Sequence, residues 1–384
     1  MTVKYWKKVS RYDSFVLLVT LVILVSSHWN VAADCHSSVC VDKPLNDMSA
    51  TPAAESCAVC GTGTCACGTS HGISRESFSD AEPGLWSGQN IRNPLARAVY
   101  FKMKEDERNK DDKHVYWYRV IVSRFPEDLR AKFIQFHQDE GTDLFLENCL
   151  EKSNQIFTQL FYSLARPVLN MFMTQTSING LLHRGSMFIF SKSQFEQLLG
   201  FSPYHKEDSL LDLGAGDGMV TRQMSAYFHT VYATEMSGMM VRRLRSQGFK
   251  VLGVSDWQTT GVKYDLVSCL NLLDRCDKPL TLLADIKASL KPGSGRLLVA
   301  VVIPFKPYVE FESKTHQPSE FIHVKGSNFE EQIEHFVSIF QQSGFEVEKF
   351  SRLPYLCEGD LRHSFYVLTD AVFILKVIQQ SPAV

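Results

Sequence analysis

The spacing of apolar residues along this 384-residue chain changes from a helical period to a strand period near residue 200. From about residue 126, in FPEDLRAKFIQFHQDEGTDLFLENCLEKSNQIFTQLFYSLARPVLNMFM, apolar side chains recur at intervals of three and four. That period predicts helices with buried stripes, here Leu144, Leu146, Leu150, Ile156, Phe157, Leu160, Phe161, Leu164 and Val168. Ser193-x-x-Glu196 predicts a capping box opening a short helix that carries Phe195, Leu198 and Leu199. Beyond residue 200, short apolar runs at 209–213, 231–234, 250–254, 266–270 and 296–303 predict strands buried on both faces. Helical stretches at 219–227, 238–247 and 279–290 fall between them. A further helix at 329–343 precedes two last strands near 346–352 and 365–376. This alternation predicts a doubly wound α/β fold with a mostly parallel sheet, preceded by helices. The last strand follows its neighbour without a helix, which predicts an antiparallel strand added at the sheet edge.

The N-terminus has a different pattern. Lys4, Lys7, Lys8 and Arg11 precede the apolar run FVLLVTLVILV, and Val31-Ala32-Ala33 offers a small-residue cleavage site before Asp34. This is the layout of a secretory signal peptide, with an uncleaved signal anchor as the alternative. The run is shorter than the roughly 20 residues of a membrane span. Six of the ten cysteines lie between Cys35 and Cys67. An even, close-set group on a secretory route predicts disulfides, with 15 pairings open. Cys57-x-x-Cys60 with Cys65-x-Cys67 is the rival zinc arrangement, at spacings that match no common finger. Cys149, Cys269, Cys276 and Cys357 are expected as buried free thiols. The run KMKEDERNKDDKH carries five basic and five acidic side chains and predicts a solvated face. The expected division is 1–33 signal segment, 34–114 irregular, 115–200 helical and 201–378 α/β. A net charge of −2 gives no global basic field for nucleic acid.

The candidate ligand loop is Leu210-Leu211-Asp212-Leu213-Gly214-Ala215-Gly216-Asp217-Gly218, after a strand and before a helix. Glycines there let the backbone turn tightly beside a ligand, at the edge where α/β sheets bind. A dinucleotide site wants G-x-G-x-x-G, with the helix terminus facing a pyrophosphate. Here the third glycine comes one residue early, and Asp212 and Asp217 would repel a pyrophosphate. They suit a cationic ligand such as the sulfonium and ammonium of S-adenosylmethionine. Glu235 ends the next strand, where it can accept both ribose hydroxyls. Asp256 ends the one after, near where an adenine would lie.

The following strand ends in Cys269-Leu270-Asn271-Leu272-Leu273-Asp274-Arg275. Asn271 can hold the amino-acid part of the cofactor or the acceptor. Asp274 is placed to act as a general base, or else to pair with Arg275 or cap the helix near Pro279. The stretch from Arg352 to Asp360, with Tyr355, Glu358 and Asp360, is expected to be a loop that forms a pocket wall or a plain hairpin connection. Residues 177–187 form a candidate lid, in which His183 is assigned no catalytic part.

The runs SINGLLHRGSMF, LLDLGAGDG, VYATE, SCLNLLDRCDKPLTLL, RLPYLCEGD and DAVFILK resemble the DREV family, the family of methyltransferase-like protein 9, over roughly residues 115–378. The resemblance implies a Rossmann-like, class I S-adenosylmethionine-dependent methyltransferase fold. It implies methylation of the pros nitrogen of histidine in His-x-His segments where x is small. By the same resemblance, Asp212, Gly214, Gly216 and Asp217 belong to the cofactor loop. Glu235, Asn271 and Tyr355 match positions that contact the cofactor, and Asp274 matches the acid that engages the target imidazole. Glu358 and Asp360 are candidates to attract the second histidine of the substrate. The expected partners are protein or peptide substrates bearing His-x-His, with no nucleic acid and no metal. A monomer is expected, with membrane attachment only through the N-terminal apolar segment. The expected compartment is the secretory pathway, foremost the endoplasmic reticulum, with secretion or mitochondria as alternatives. The rival functions are a same-fold methyltransferase acting on a small molecule or another side chain, a non-catalytic S-adenosylmethionine-binding protein, and a Rossmann oxidoreductase.

Overall fold

The structure, a computed structural model, describes residues 91–110, 112–309 and 316–379. The predicted signal segment and the cysteine group from Cys35 to Cys67 lie outside the described residues.

Eight strands form one sheet: β1 (Met187–Phe188), β2 (Glu207–Leu213), β3 (Phe228–Thr234), β4 (Lys250–Leu252), β5 (Leu266–Leu270), β6 (Arg296–Ile303), β7 (Phe345–Glu358) and β8 (Phe365–Val377). Their order is β1-β7-β8-β6-β5-β2-β3-β4. Strands β2 to β6 pair in parallel, and β8 runs antiparallel to both β6 and β7. The chain steps outward from β2 to β3 and β4, then returns to β5 on the other side of β2. That reversal is the switch point where open α/β sheets bind ligands, beyond the strands' carboxyl ends.

Period-two alternation assigns the two faces of the sheet. In β6, Leu297, Val299 and Val301 pack with Leu283 and Ile286 of the helix Pro279–Ser289 and with Ile333, Phe336 and Phe340 of the helix Phe329–Gln342. Leu298 and Ala300 face the other way, toward Phe195 and Leu198 of the helix Lys192–Leu199 and Met224 of the helix Met219–Ser225. Fully burying each such side chain stabilises the fold by about 1.5–3 kcal/mol. Phe136, Trp117 and Tyr118 join this second cluster, so residues before 200 share the core of the sheet.

Within the segment expected to be irregular, Pro94–Asn109 form a helix, and four further expectations need correction. The antiparallel strand is not at the edge, because β8 sits between β6 and β7. Its run Ala371–Leu375 is wholly buried, which suits a strand covered on both faces. Second, residues 352–358 continue β7 instead of forming a loop. Pro354 is tolerated there because, among the described residues, the outer side of β7 is backbone-bonded near Phe350, by Lys132 and Ile134, and around β1, with Pro354 lying between. Third, the capping box uses Ser191 and Gln194 rather than Ser193 and Glu196. Fourth, of the predicted stripe only Leu146 is buried, while Phe157 and Leu164 are 79% and 67% exposed. The period correctly gives the helices Glu140–Asn154 and Ile156–Leu169, but it carries no information about what the apolar face meets. Among the described residues, no helix is long and apolar enough to cross a membrane.

Candidate active site

The loop from β2 to the helix Met219–Ser225 is shaped by three left-handed glycines, Gly214, Gly216 and Gly218 (φ 68°, 55° and 80°). Its backbone is tied to the end of β3. Gly214 N–H donates to Thr234 Oγ1 at 3.2 Å, Ala215 N–H to the Thr234 carbonyl at 3.0 Å and Gly216 N–H to Glu235 Oε2 at 3.1 Å. Glu235 Oε1 accepts from Ser237 N–H at 2.9 Å, so its carboxylate is fixed at the mouth of the loop. A cavity of about 480 Å³ opens there, lined by Gly214, Gly216, Glu235, Trp257, Asn271 and Leu272 among others. A Cβ at Gly214 would lie 3.3 Å from Leu272 Cδ1, so the glycine keeps this wall thin. Thr174, Thr176 and Ser177 contribute another wall, with Met187. The predicted lid segment therefore borders the cavity.

These residues fit S-adenosylmethionine. Val254, Leu272 and Trp257 offer apolar surface for a base, and Glu235 offers acceptors for hydroxyls. Asn271 Oδ1 is buried without a donor. The volume lies within the range for small-ligand sites, about 300–1,000 Å³.

Of the predicted cofactor residues, Gly214, Gly216, Glu235 and Asn271 line the cavity. Asp212, Asp217 and Asp256 do not. Asp212 projects sideways from β2 into the core, where Thr221 Oγ1 donates to Oδ2 at 2.5 Å and Ser268 Oγ to Oδ1 at 2.7 Å. Burial pushes its carboxyl up to about 6, against those two hydrogen bonds and with a smaller push from Glu235. Asp217 is buried behind the loop, accepting from Ser186 Oγ at 2.8 Å and Met219 N–H at 3.1 Å, with Arg243 3.6 Å away. It holds the loop to β1 and the following helix. Asp256 is exposed and folds back over Gly253, while its neighbour Trp257 reaches the cavity. Tyr355 stands on β7, half-buried, and its hydroxyl donates to Met187 Sδ. It reaches the cavity through Met187, and burial holds its phenol well above the usual range.

The loop after β5 carries Asn271, which lines the cavity, and Asp274, which does not. Asn271 has a left-handed backbone (φ 52°), and its N–H donates to the Ala300 carbonyl at 2.9 Å. Asp274 is buried, with Oδ2 accepting from Arg275 Nε at 3.2 Å and its carbonyl accepting from Tyr308 N–H at 2.7 Å. The pairing with Arg275 therefore exists, yet Asp274 Oδ1 has no donor. Burial raises its pKa, with Arg275 opposing. The helix Pro279–Ser289 has no side-chain cap, so Asp274 is not used in that way.

One residue escaped the sequence reading. Asp370 of β8 is fully buried and accepts from Asn271 Nδ2 at 2.8 Å. The available signal was an acid heading the otherwise apolar run DAVFIL. Glu358 is occupied by Lys152 at 3.1 Å, and Asp360 lines a separate cavity with Arg166 and Arg184. Neither lines the candidate site. His183 is exposed in a left-handed turn. Cys149, Cys269, Cys276 and Cys357 are free, the last two half-buried, and burial raises every one of these thiols.

A sequence model of the DREV methyltransferase family matches residues 117–377. Solved structures with a related shape include an S-adenosylmethionine-dependent methyltransferase from Clostridium acetobutylicum (15% identity, 57% of this chain and 98% of that one, TM-score 0.33). One from Methanosarcina mazei shares 14% identity over 46% of this chain and 96% of that one, with a TM-score of 0.33. Another from Leishmania major shares 16% identity over 48% and 71%, with a TM-score of 0.33.

Proposed function

We propose that this protein, which belongs to the DREV methyltransferase family, methylates the pros nitrogen of histidine in His-x-His segments where x is small, using S-adenosylmethionine. When bound, S-adenosylmethionine supplies an electrophilic methyl group on a sulfonium. The observation that carries the reading is the pairing of a cavity-lining amide, Asn271, with a buried acid three residues later whose Oδ1 has no donor. A buried acceptor without a donor is costly, by about 1–3 kcal/mol, and suits a ligand that brings an N–H.

An imidazole is such a ligand. Asp274 accepts its distal N–H, which fixes the tautomer and leaves the pros nitrogen with its lone pair. As positive charge grows on the ring, Asp274 stabilises it and takes up the distal proton. Arg275 holds the other carboxylate oxygen, so the acid is oriented before substrate arrives. Glu235 and the left-handed glycines hold the cofactor end of the site. The compartment we propose is the endoplasmic reticulum, on the basic-then-apolar pattern of residues 1–33.

The test is incubation of the full chain with labelled S-adenosylmethionine and a His-Ala-His peptide, with the methyl group located by mass spectrometry. Pros-nitrogen label that disappears when either histidine is replaced is the expected result. Binding of S-adenosylhomocysteine without label on any histidine would overturn the acceptor assignment and leave a methyltransferase for other acceptors.

A further inference from the structure

Asp370 is an acid where the sheet has no evident use for one. It lies in the middle of the sheet, paired in register with Val302 on β6 and Leu353 on β7, and is wholly buried. An acid in this setting is costly unless its atoms find partners. Only Oδ2 has one, the Asn271 side-chain amide at 2.8 Å, and Oδ1 has none. Asn271 is itself under constraint. It is a non-glycine residue at φ 52° in the cavity wall, and its Oδ1 also lacks a donor. A free amide could present either its oxygen or its nitrogen to a ligand. An acceptor fixed at Nδ2 removes that freedom.

We propose that Asp370 is a positioning residue for the methyl-transfer site: as the acceptor for Asn271 Nδ2, it locks the amide so that Oδ1 is the atom left for a donor on the bound methyl donor, such as its ammonium group. The inference rests on the reading of this cavity as the S-adenosylmethionine site. It adds that the amide's orientation is set from β8. Burial, with a smaller contribution from Asp274, pushes Asp370 up to about 8 against the bond from Asn271.

The test uses the full chain, with S-adenosylhomocysteine binding measured by calorimetry and stability by guanidinium unfolding. Asp370→Asn keeps an acceptor oxygen and is expected to bind within about twofold of the wild type. Asp370→Leu removes the acceptor in a similar volume. It also leaves Asn271 Nδ2 without its acceptor, so some loss of stability is expected, and guanidinium unfolding confirms that the variant is folded before its binding is read. Its affinity should fall about tenfold. Asn271→Ala combined with Asp370→Leu should be no weaker than Asn271→Ala alone, as expected when one residue acts through the other.

Wild-type affinity in a folded Asp370→Leu overturns the proposal. So does an equal loss in Asp370→Asn, which would make the charge, not the acceptor, the requirement. If Asp370→Leu does not fold, the Asp370→Asn result decides. A second readout is independent of the ligand. With selectively ¹⁵N-asparagine-labelled protein, the Asn271 side-chain amide resonances should shift in Asp370→Leu and remain near wild type in Asp370→Asn. Wild-type protein that binds no S-adenosylhomocysteine defeats the reading of the cavity, while these resonances still accept or reject the lock.

Discussion

Replacing Asp212 separates a ligand contact from a scaffold role. The carboxylate receives hydroxyl hydrogen bonds from Thr221, in the helix after the glycine loop, and Ser268, in β5. Asp212→Ala orphans the Thr221 hydroxyl and leaves Ser268 Oγ only the Leu211 carbonyl at 3.4 Å, so the expected loss of stability is about 1–3 kcal/mol from the orphaned group. Cofactor affinity should fall with it, because the loop between β2 and that helix loses its inner anchor. Asp212→Asn keeps the shape and can still bond both hydroxyls. It differs from the wild type chiefly in that it cannot ionise. The folded wild type holds its proton up to about 6, against 3.8 for the ordinary carboxyl. Between those pH values the folded state binds more protons than the unfolded state, so this group's contribution to stability falls as pH rises and is level above about 6. At 1.36 kcal/mol per pH unit the full difference is roughly 3 kcal/mol, of which about 2 kcal/mol falls between pH 4.5 and 7.5. Guanidinium unfolding at pH 4.5 and 7.5 should therefore show Asp212→Asn gaining on the wild type at the higher pH, with other groups cancelling between the two proteins. Calorimetry with S-adenosylhomocysteine completes the assay. An Asp212→Ala protein that unfolds like wild type yet cannot bind would refute the scaffold role and restore direct contact with the ligand.

Three further outcomes are expected. Glu235→Ala should weaken S-adenosylhomocysteine binding by about 1.5–3 kcal/mol through lost charge-assisted hydrogen bonds, and unchanged affinity by calorimetry would remove Glu235 from the site. Asp274→Asn should keep that affinity and lose methyl transfer to the His-Ala-His peptide; normal single-turnover rates would reject it as the acid that engages the imidazole. Gly218→Ala places a Cβ 2.8 Å from Leu244 Cδ2 at a φ of 80°. Its left-handed strain alone costs about 1–2 kcal/mol, which should appear as a lower denaturation midpoint.

Much of the molecule was legible locally. Strand runs such as 266–270 and 296–303 are apolar except for Ser268 and Arg296 because both faces of the sheet are covered, and those runs alone placed β5 and β6 where they stand. The glycine loop, Glu235 and Asn271 were found because a ligand at the sheet's carboxyl edge draws on successive strand ends. Direction and depth were not legible. Nothing in the sequence says that Asp212 turns toward Ser268 and Thr221 while Glu235, one strand later, opens onto the cavity. The exposed Phe157 and Leu164 show the same limit, since a helical period defines a face without naming its partner.

The sequence by itself determined the alternation of strands and helices, the left-handed glycine turn and the candidate acids, because each depends on neighbours a few residues apart. Only the tertiary structure decided where β8 lies. Inserted antiparallel between β6 and β7, it presents its N-terminal half at the carboxyl ends of the parallel strands. Asp370 therefore meets Asn271 across 99 residues of sequence. A strand's place and direction in a sheet are set by long-range pairing and shared burial, which local sequence does not encode.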